Sequence, residues 1–278
     1  LPVVEQGKLG GIVTTSDLML ARQDDPIYLV QHIYRKKSVE ELSALAEGLS
    51  SLMVQWVEVG MAAQQVSRLL TAVSDAITRR LIQLGEEQLG AAPVSWCWVG
   101  FGSQARAEQL LGADQDTGII ISDEASQMDL AWFESLARFV GDGLHACGYA
   151  YCPGNVMASN PQWRQPLANW LEYVNSWIRS PTPEAVMRVS IFFDLRAIHG
   201  DAQLCTTLQQ KMLFSAASNT IFQAALAANA LEASPPLGIF RRFVVDRDGE
   251  HRESLDLKKR GLLLITDAVR LRALAHGI

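Results

Sequence analysis

Several kinds of residue and pattern are missing from this chain, and each absence removes a class of protein. No apolar run reaches the roughly eighteen residues that a membrane span needs. No basic-then-apolar leader opens the sequence, so the cytoplasm is the expected location. Cysteine is scarce, with only Cys97, Cys147, Cys152 and Cys205, and none forms a CxxC pair. No histidine is placed to complete a zinc site with them, so reduced, buried thiols are expected rather than a metal or disulfide framework. Positive charge is in deficit: 24 Lys and Arg against 30 Asp and Glu leave a net charge of −6. That balance argues against a protein whose main task is gripping nucleic acid through its phosphates. Internal repeats are absent as well. What remains is a globular composition, 49% apolar and 19% charged, in 278 residues, enough for a sizeable core in one or two domains.

The first twenty residues, "LPVVEQGKLGGIVTTSDLML", read as strand, turn, strand and helix start, with Ser16 or Asp17 as the cap. Such a fragment cannot bury its own faces, so a preceding segment is expected; the closing "LRALAHGI" likewise suggests a chain that continues. From about Pro26 to Leu89 apolar residues recur at three- and four-residue steps, the pattern of packing helices. Ser38 with Glu41 fits a capping box, and Gly60 and Gly90 fit helix ends. After Pro93, "VSWCWVGF" and "TGIIIS" read as strands, and "MDLAWFESLARFVGDGLHACG" as an amphipathic helix ending at Gly148. "YAYCPGNVMASNPQWR" reads as a long loop of the kind that often carries function. "PLANWLEYVNSWIRS" reads as a helix, and "AVMRVSIFFDLRAI" turns into a strand around Val189 whose "SIFFD" ends in Asp194. Beyond Asp201 the pattern is helical to the end, interrupted by a β-like "RRFVVD" and a turn at Asp248–Gly249.

The stretch "WVGFGSQARAEQLLGADQDTGIIISD", Trp98 to Asp123, carries the chemistry. Gly100, Gly102 and Ser103 lie between a strand and a helix, where glycine lets a ligand approach the backbone and a helix start offers N–H groups to phosphate. Asp114 and Asp116 are two apart at a strand edge, so their side chains share a face. Two carboxylates that close repel unless a proton or cation lies between them, and oxygen-only ligands suit Mg²⁺. Asp194, on a neighbouring strand, would complete a two-metal site for in-line nucleotidyl displacement. Taken singly, each feature also has a structural reading: a turn, a solvated loop, or an aspartate paired with Arg196. "GFGSQA" further matches a dinucleotide fingerprint, with Asp123 near the distance of a ribose-binding acid. That rival leaves Asp114 and Asp116 unexplained and needs further βαβ units, so the metal reading is favoured.

"GFGSQARAEQLLGADQDTGIII" resembles the Gly-Ser … Asp-x-Asp signature of polymerase-β-type nucleotidyltransferases, and "FFDLRAIHGD" the strand carrying their third acid. "CPGNVMASNPQWR" and "LDLKKRGLLLITDAVRLRAL" resemble bacterial signal-transduction nucleotidyltransferases, relatives of the uridylyltransferase that modifies the nitrogen regulator protein PII. The resemblance runs from about Pro26 onward. It implies an α+β fold with a small mixed sheet, a helical lead-in over 23–90, a core over 91–200 and a helical substrate-binding part over 201–278. It also implies that Gly102 and Ser103 hold a nucleoside triphosphate, that Asp114, Asp116 and Asp194 bind metal, and that Asp194 assists as third ligand or base. Arg106 would meet a phosphate with Glu108 orienting it; Lys258 or Lys259 would meet another, a solvated face being the alternative. All three acids are present, so the resemblance implies an active enzyme; the base preference and acceptor stay open, with a protein acceptor favoured by analogy. A catalytically silent nucleotide-binding regulatory module is the second reading. An oligomer is compatible with either. Residues 1–22 resemble the end of a CBS domain, in which Thr14 and Asp17 match positions that touch adenosine; an intact module in a longer chain would take an adenine nucleotide.

Overall fold

The computed structural model describes residues 2–5, 7–12, 14, 26–232, 235, 245 and 254–277. The opening strands form as expected: β1 (Pro2–Glu5) and β2 (Lys8–Ile12) pair antiparallel as a two-stranded sheet. The helix start expected at Ser16 or Asp17 and the "RRFVVD" arm lie outside the described residues. Among the described residues, no helix is long and apolar enough to cross a membrane.

The helical lead-in comprises α1 (Pro26–Arg35), α2 (Val39–Glu47), α3 (Leu49–Glu58) and α4 (Ala63–Leu89). Half of the capping box at Ser38 forms: its Oγ accepts from the Glu41 N–H at 3.3 Å, whereas Glu41 itself accepts from the Lys37 N–H. Gly90 ends α4 with its N–H on the Glu86 carbonyl.

A four-stranded mixed sheet follows, in the order β5-β4-β3-β6. Its strands are β3 (Trp96–Phe101), β4 (Thr117–Ile121), β5 (Arg164–Pro166) and β6 (Leu195–Gly200). The central β3 runs antiparallel to β4 and β6, while β5 joins β4 in parallel. β3 and β4 are buried at every position because both faces of the sheet are covered, which is why their sequences read as continuous apolar runs. On one face Trp96, Trp98, Ile119 and Ile121 pack with residues of α1, α4 and α6 (Gln127–Ala146). On the other, Cys97, Val99, Phe101 and Ile120 meet α7 (Leu167–Arg179), α8 (Pro183–Phe192), α9 (Ala202–Ala217), α10 (Thr220–Glu232) and α11 (Leu263–His276). A one-turn helix, α5 (Gly102–Ala105), follows β3, and a π-helical turn (Lys258–Leu262) leads into α11.

Two expectations need correction. The strand expected around Val189 is instead α8, and Asp194 precedes β6 rather than ending a strand. Local start signals outweigh the β-branched composition: Thr182 Oγ1 accepts from the Ala185 N–H, Pro183 occupies the first turn, and Glu184 lies beside it. The i, i+3, i+6 run Val186, Val189 and Phe192 then faces the core, where the Phe192 ring lies 4.4 Å from Trp163 and 4.7 Å from Phe101. The loop expected over 149–164 also gives up its end to β5, a strand too short for periodicity to show.

The thiols are free, and Cys97, Cys147 and Cys205 are buried. Burial pushes Cys97 up to about 12 and Cys147 and Cys205 to about 11, so these three are uncharged.

Candidate active site

The candidate residues gather where β3 ends. The Phe101 N–H donates to the Asp116 carbonyl and the next amide, Gly102, donates to the Asp194 carbonyl, each at 2.9 Å. One two-residue step of the central strand therefore holds the backbones of two candidate acids, one from each neighbouring chain segment. Gly102 makes this turn at φ +53°, in the left-handed region where a side chain is strained. A Cβ there would lie 3.9 Å from Asp116 Oδ2, so that carboxylate overhangs the glycine. The Gly102 amide is spent on Asp194, and α5 is a single turn, so a helix macrodipole contributes little to holding a phosphate here.

The alternation expected of Asp114, Gln115 and Asp116 is present. Asp114 bridges to Ala150, while Gln115 is buried and its Nε2 donates to the carbonyls of Gly141 and Tyr149 at 3.0 Å. This inward anchor fixes the strand entrance. The loop after α6 lies along that entrance: Thr117 N–H donates to Val156 O, Ala158 N–H donates to Thr117 Oγ1, and Arg164 donates to the carbonyls of Ala158 and Ser159. The loop thereby sets the Cys152 thiol against the Asp116 carboxylate.

Asp116 titrates above the usual carboxylate range. Burial is the main cause; the Asp114 charge adds to it, while the Cys152 hydrogen bond and the Lys258 charge oppose it. Lys258, exposed at the start of the π-helical turn, is therefore within electrostatic reach of the acid pair. The Lys259 side chain lies outside the described residues. Since the folded carboxyl is harder to ionise than the unfolded one, Asp116 costs stability as pH rises from the ordinary carboxylate value through its raised folded value. In metal-free buffer, Asp116→Asn is thus expected to gain stability over the natural protein between pH 4 and pH 7. Urea denaturation at the two pH values checks this; a gap that does not widen with pH contradicts it.

Asp194 faces elsewhere. Arg106 Nη1 and Arg270 Nη2 both donate to its Oδ2, the latter at 2.6 Å. Arg106 Nε also donates to Glu108 at 2.8 Å. Arg270, from α11, gives Nη1 to Asp267. Arg106, Glu108, Asp194 and Arg270 line a cavity of about 330 Å³ whose remaining wall is mostly apolar, with Phe193, Leu213, Leu262, Ile265 and Val269. Among the described residues, no group of three or more acids, thiols or imidazoles stands ready to hold a metal ion, so the three aspartates do not form one cluster.

Sequence reasoning missed the support beneath this end of the sheet. α4 carries Ser67, Thr71, Ser74, Asp75 and Thr78 on its buried face. Asp75 accepts from Arg196 Nη1 and Nη2 at 2.7 and 3.1 Å, and Arg196 Nη2 donates to the Gln104 carbonyl in α5. Thr71 Oγ1 accepts from the Gln109 N–H. The only signal was polar residues at helical spacing, which a helix polar on every face hides. Arg270, absent from the sequence-based candidates, had no such signal beyond its helix.

Asp123 is far from the glycine turn. β4 runs from Thr117, opposite Gly100, to Ile121, opposite Trp96, which puts Asp123 at the other end of the sheet. There its Oδ1 accepts from the Ala168 N–H at 2.8 Å and starts α7. Together with the antiparallel pairing of β3, this removes the geometric basis of the dinucleotide reading.

Two family models match the chain. One, described as "Putative nucleotidyltransferase DUF294", matches residues 47–184. The other, described as "Putative nucleotidyltransferase substrate binding domain", matches residues 220–278. No curated protein matches.

Proposed function

We propose that this chain, whose residues 47–184 and 220–278 match models described as putative nucleotidyltransferase domains, moves a nucleoside monophosphate from a nucleoside triphosphate to an acceptor hydroxyl. The observation that carries this reading is the Gly102 turn at the end of β3, with the Asp116 carboxylate over it, Asp114 and Lys258 in electrostatic reach of that carboxylate, and the Asp194 backbone bonded to the Gly102 amide. A partly buried carboxyl whose charge is disfavoured first by burial and further by a second carboxylate belongs to a donor pair that gains from a divalent cation, so Asp114 and Asp116 would hold Mg²⁺. Bound there, Mg²⁺ supplies charge neutralisation for the triphosphate and the leaving pyrophosphate.

The chain's own groups do the rest. Gly102 lets the triphosphate approach the backbone beside Ser103, and Lys258 and Arg106 neutralise phosphate oxygens. Asp194 takes the acceptor's hydroxyl proton as that oxygen bonds to the α-phosphorus. The bond from the α-phosphorus to the bridging oxygen breaks, and pyrophosphate departs with the electron pair. The cavity beside Asp194, walled by residues of the substrate binding domain, receives the acceptor's apolar part. A signalling role, a protein acceptor and an adenine nucleotide at a CBS module ahead of residue 22 belong to the same proposal and rest on resemblance.

Incubation with Mg²⁺ and each nucleoside triphosphate, labelled at the α-phosphorus, tests the reading. Label should pass to an acceptor with release of pyrophosphate, and Asp194→Asn should prevent it; release of inorganic phosphate alone contradicts nucleotidyl transfer. One observation favours the silent regulatory module instead, namely that Asp194 is occupied by two arginines. Metal-dependent nucleotide binding without pyrophosphate release would establish that second reading.

A further inference from the structure

Asp194 is held by residues of two domains at once. Arg106 follows the glycine turn of the core, and Arg270 belongs to the substrate-binding helix α11. Both guanidiniums converge on one carboxylate oxygen, Oδ2, and Oδ1 takes part in neither bond. Arg270 is nine-tenths buried, lines the cavity, and keeps its Nε without a partner. A carboxylate carrying two guanidiniums has to shed at least one before a divalent cation can approach it, because the cations repel one another.

Shedding is inexpensive here. Glu108 stays with Arg106 and Asp267 stays with Arg270, so each guanidinium keeps an acid after Asp194 leaves. Three acids share two arginines, and the surplus negative charge is the one free to move. A buried arginine left without an acid is strongly disfavoured, and the two spare acids avoid that.

We propose that Arg270 is a positioning residue that holds Asp194 in a resting arrangement, and that Asp194 exchanges this arginine for the metal–nucleotide complex, loosening the first turns of α11 from the segment ahead of β6 as the site loads. This rests on the reading of Asp114 and Asp116 as metal ligands. Apart from the tie to Asp194, α11 is docked mainly through Leu274 and Leu271, so loss of the tie frees its first turns more than its last. The substrate-binding part thus responds to the nucleotide before any acceptor arrives.

The test pairs calorimetry with amide hydrogen exchange, using Mn²⁺ and a non-hydrolysable α,β-methylene nucleoside triphosphate. Loading the natural protein should speed exchange in residues 263–270. Arg270→Gln should bind the Mn²⁺–nucleotide complex about fivefold or more tighter, with α11 already fast-exchanging and insensitive to loading. Asp267→Asn, which removes the spare partner of Arg270, should weaken loading. If Arg270→Gln does not fold, the exchange of the natural protein and the affinity of Asp267→Asn decide the matter. Binding that requires Asp116 but leaves α11 exchange unchanged, or an Arg270→Gln affinity no better than the natural one, overturns the proposal and leaves the proposed function standing. Absence of Mn²⁺-dependent nucleotide binding in every protein overturns both.

Discussion

Asp116→Asn is expected to lower nucleotidyl transfer by about a thousandfold while leaving the fold intact. The site places Asp116 partly buried over Gly102, with Asp114, Cys152 and Lys258 acting on its carboxyl. Burial and Asp114 both disfavour its charge, so the folded protein gains nothing from that carboxylate in the absence of a cation. Carboxyls kept in an environment that opposes their ionised form are concentrated at functional sites. Asparagine has nearly the same shape and keeps the contacts, but offers a cation a neutral oxygen. Turnover should therefore collapse while circular dichroism and melting stay native or improve. A folded Asp116→Asn protein with undiminished transfer would remove Asp116 from the mechanism.

The second large effect is on stability. Asp75 lies on the buried face of α4, its side chain 8% exposed, and pairs in bidentate fashion with Arg196 at the edge of β6. Arg79 adds a weaker contact at 3.7 Å, and Gln104 in α5 donates toward the same carboxylate. Replacing Asp75 by Ala leaves Arg196, whose Nε already lacks a partner, without its acid. Truncating one member of such a pair costs about 3 kcal/mol, a fall of roughly 6–12 °C in Tm for a chain of this size. Asp75→Asn, which keeps acceptor capacity, should lose less. Because Arg196 also holds the Gln104 carbonyl, transfer should fall with stability. Asp75→Ala melting at the natural temperature would mean that the pair is held elsewhere and contributes little.

The sequence made the sheet's two central strands readable, because burial on both faces leaves an unbroken apolar run in each. Helices over Pro26–Leu89 and after Asp201 were legible from periodicity and caps. Val189 was misread because β-branched residues were weighed above the Thr182–Pro183 start, and burial of Phe192 against Trp163 was invisible in one dimension. The Asp-x-Asp pair was legible since alternation alone fixes its common face. The partners of Asp194 were not: Arg106 is 88 residues away and Arg270 is 76 away, and no local pattern ties them. Asp75 had no signal of its own, because its helix carries polar residues on every face and those that turn inward do not stand out from those that face solvent.

Calorimetry of ATP, UTP, CTP and GTP with and without Mg²⁺, on the natural protein and an Asp114→Asn/Asp116→Asn double variant, shows whether the paired aspartates hold metal and nucleotide together. A site of that kind binds at least one nucleotide in a Mg²⁺-dependent way in the natural protein and loses it in a folded double variant. Equal binding by both proteins, or binding indifferent to Mg²⁺, would contradict that role of the pair.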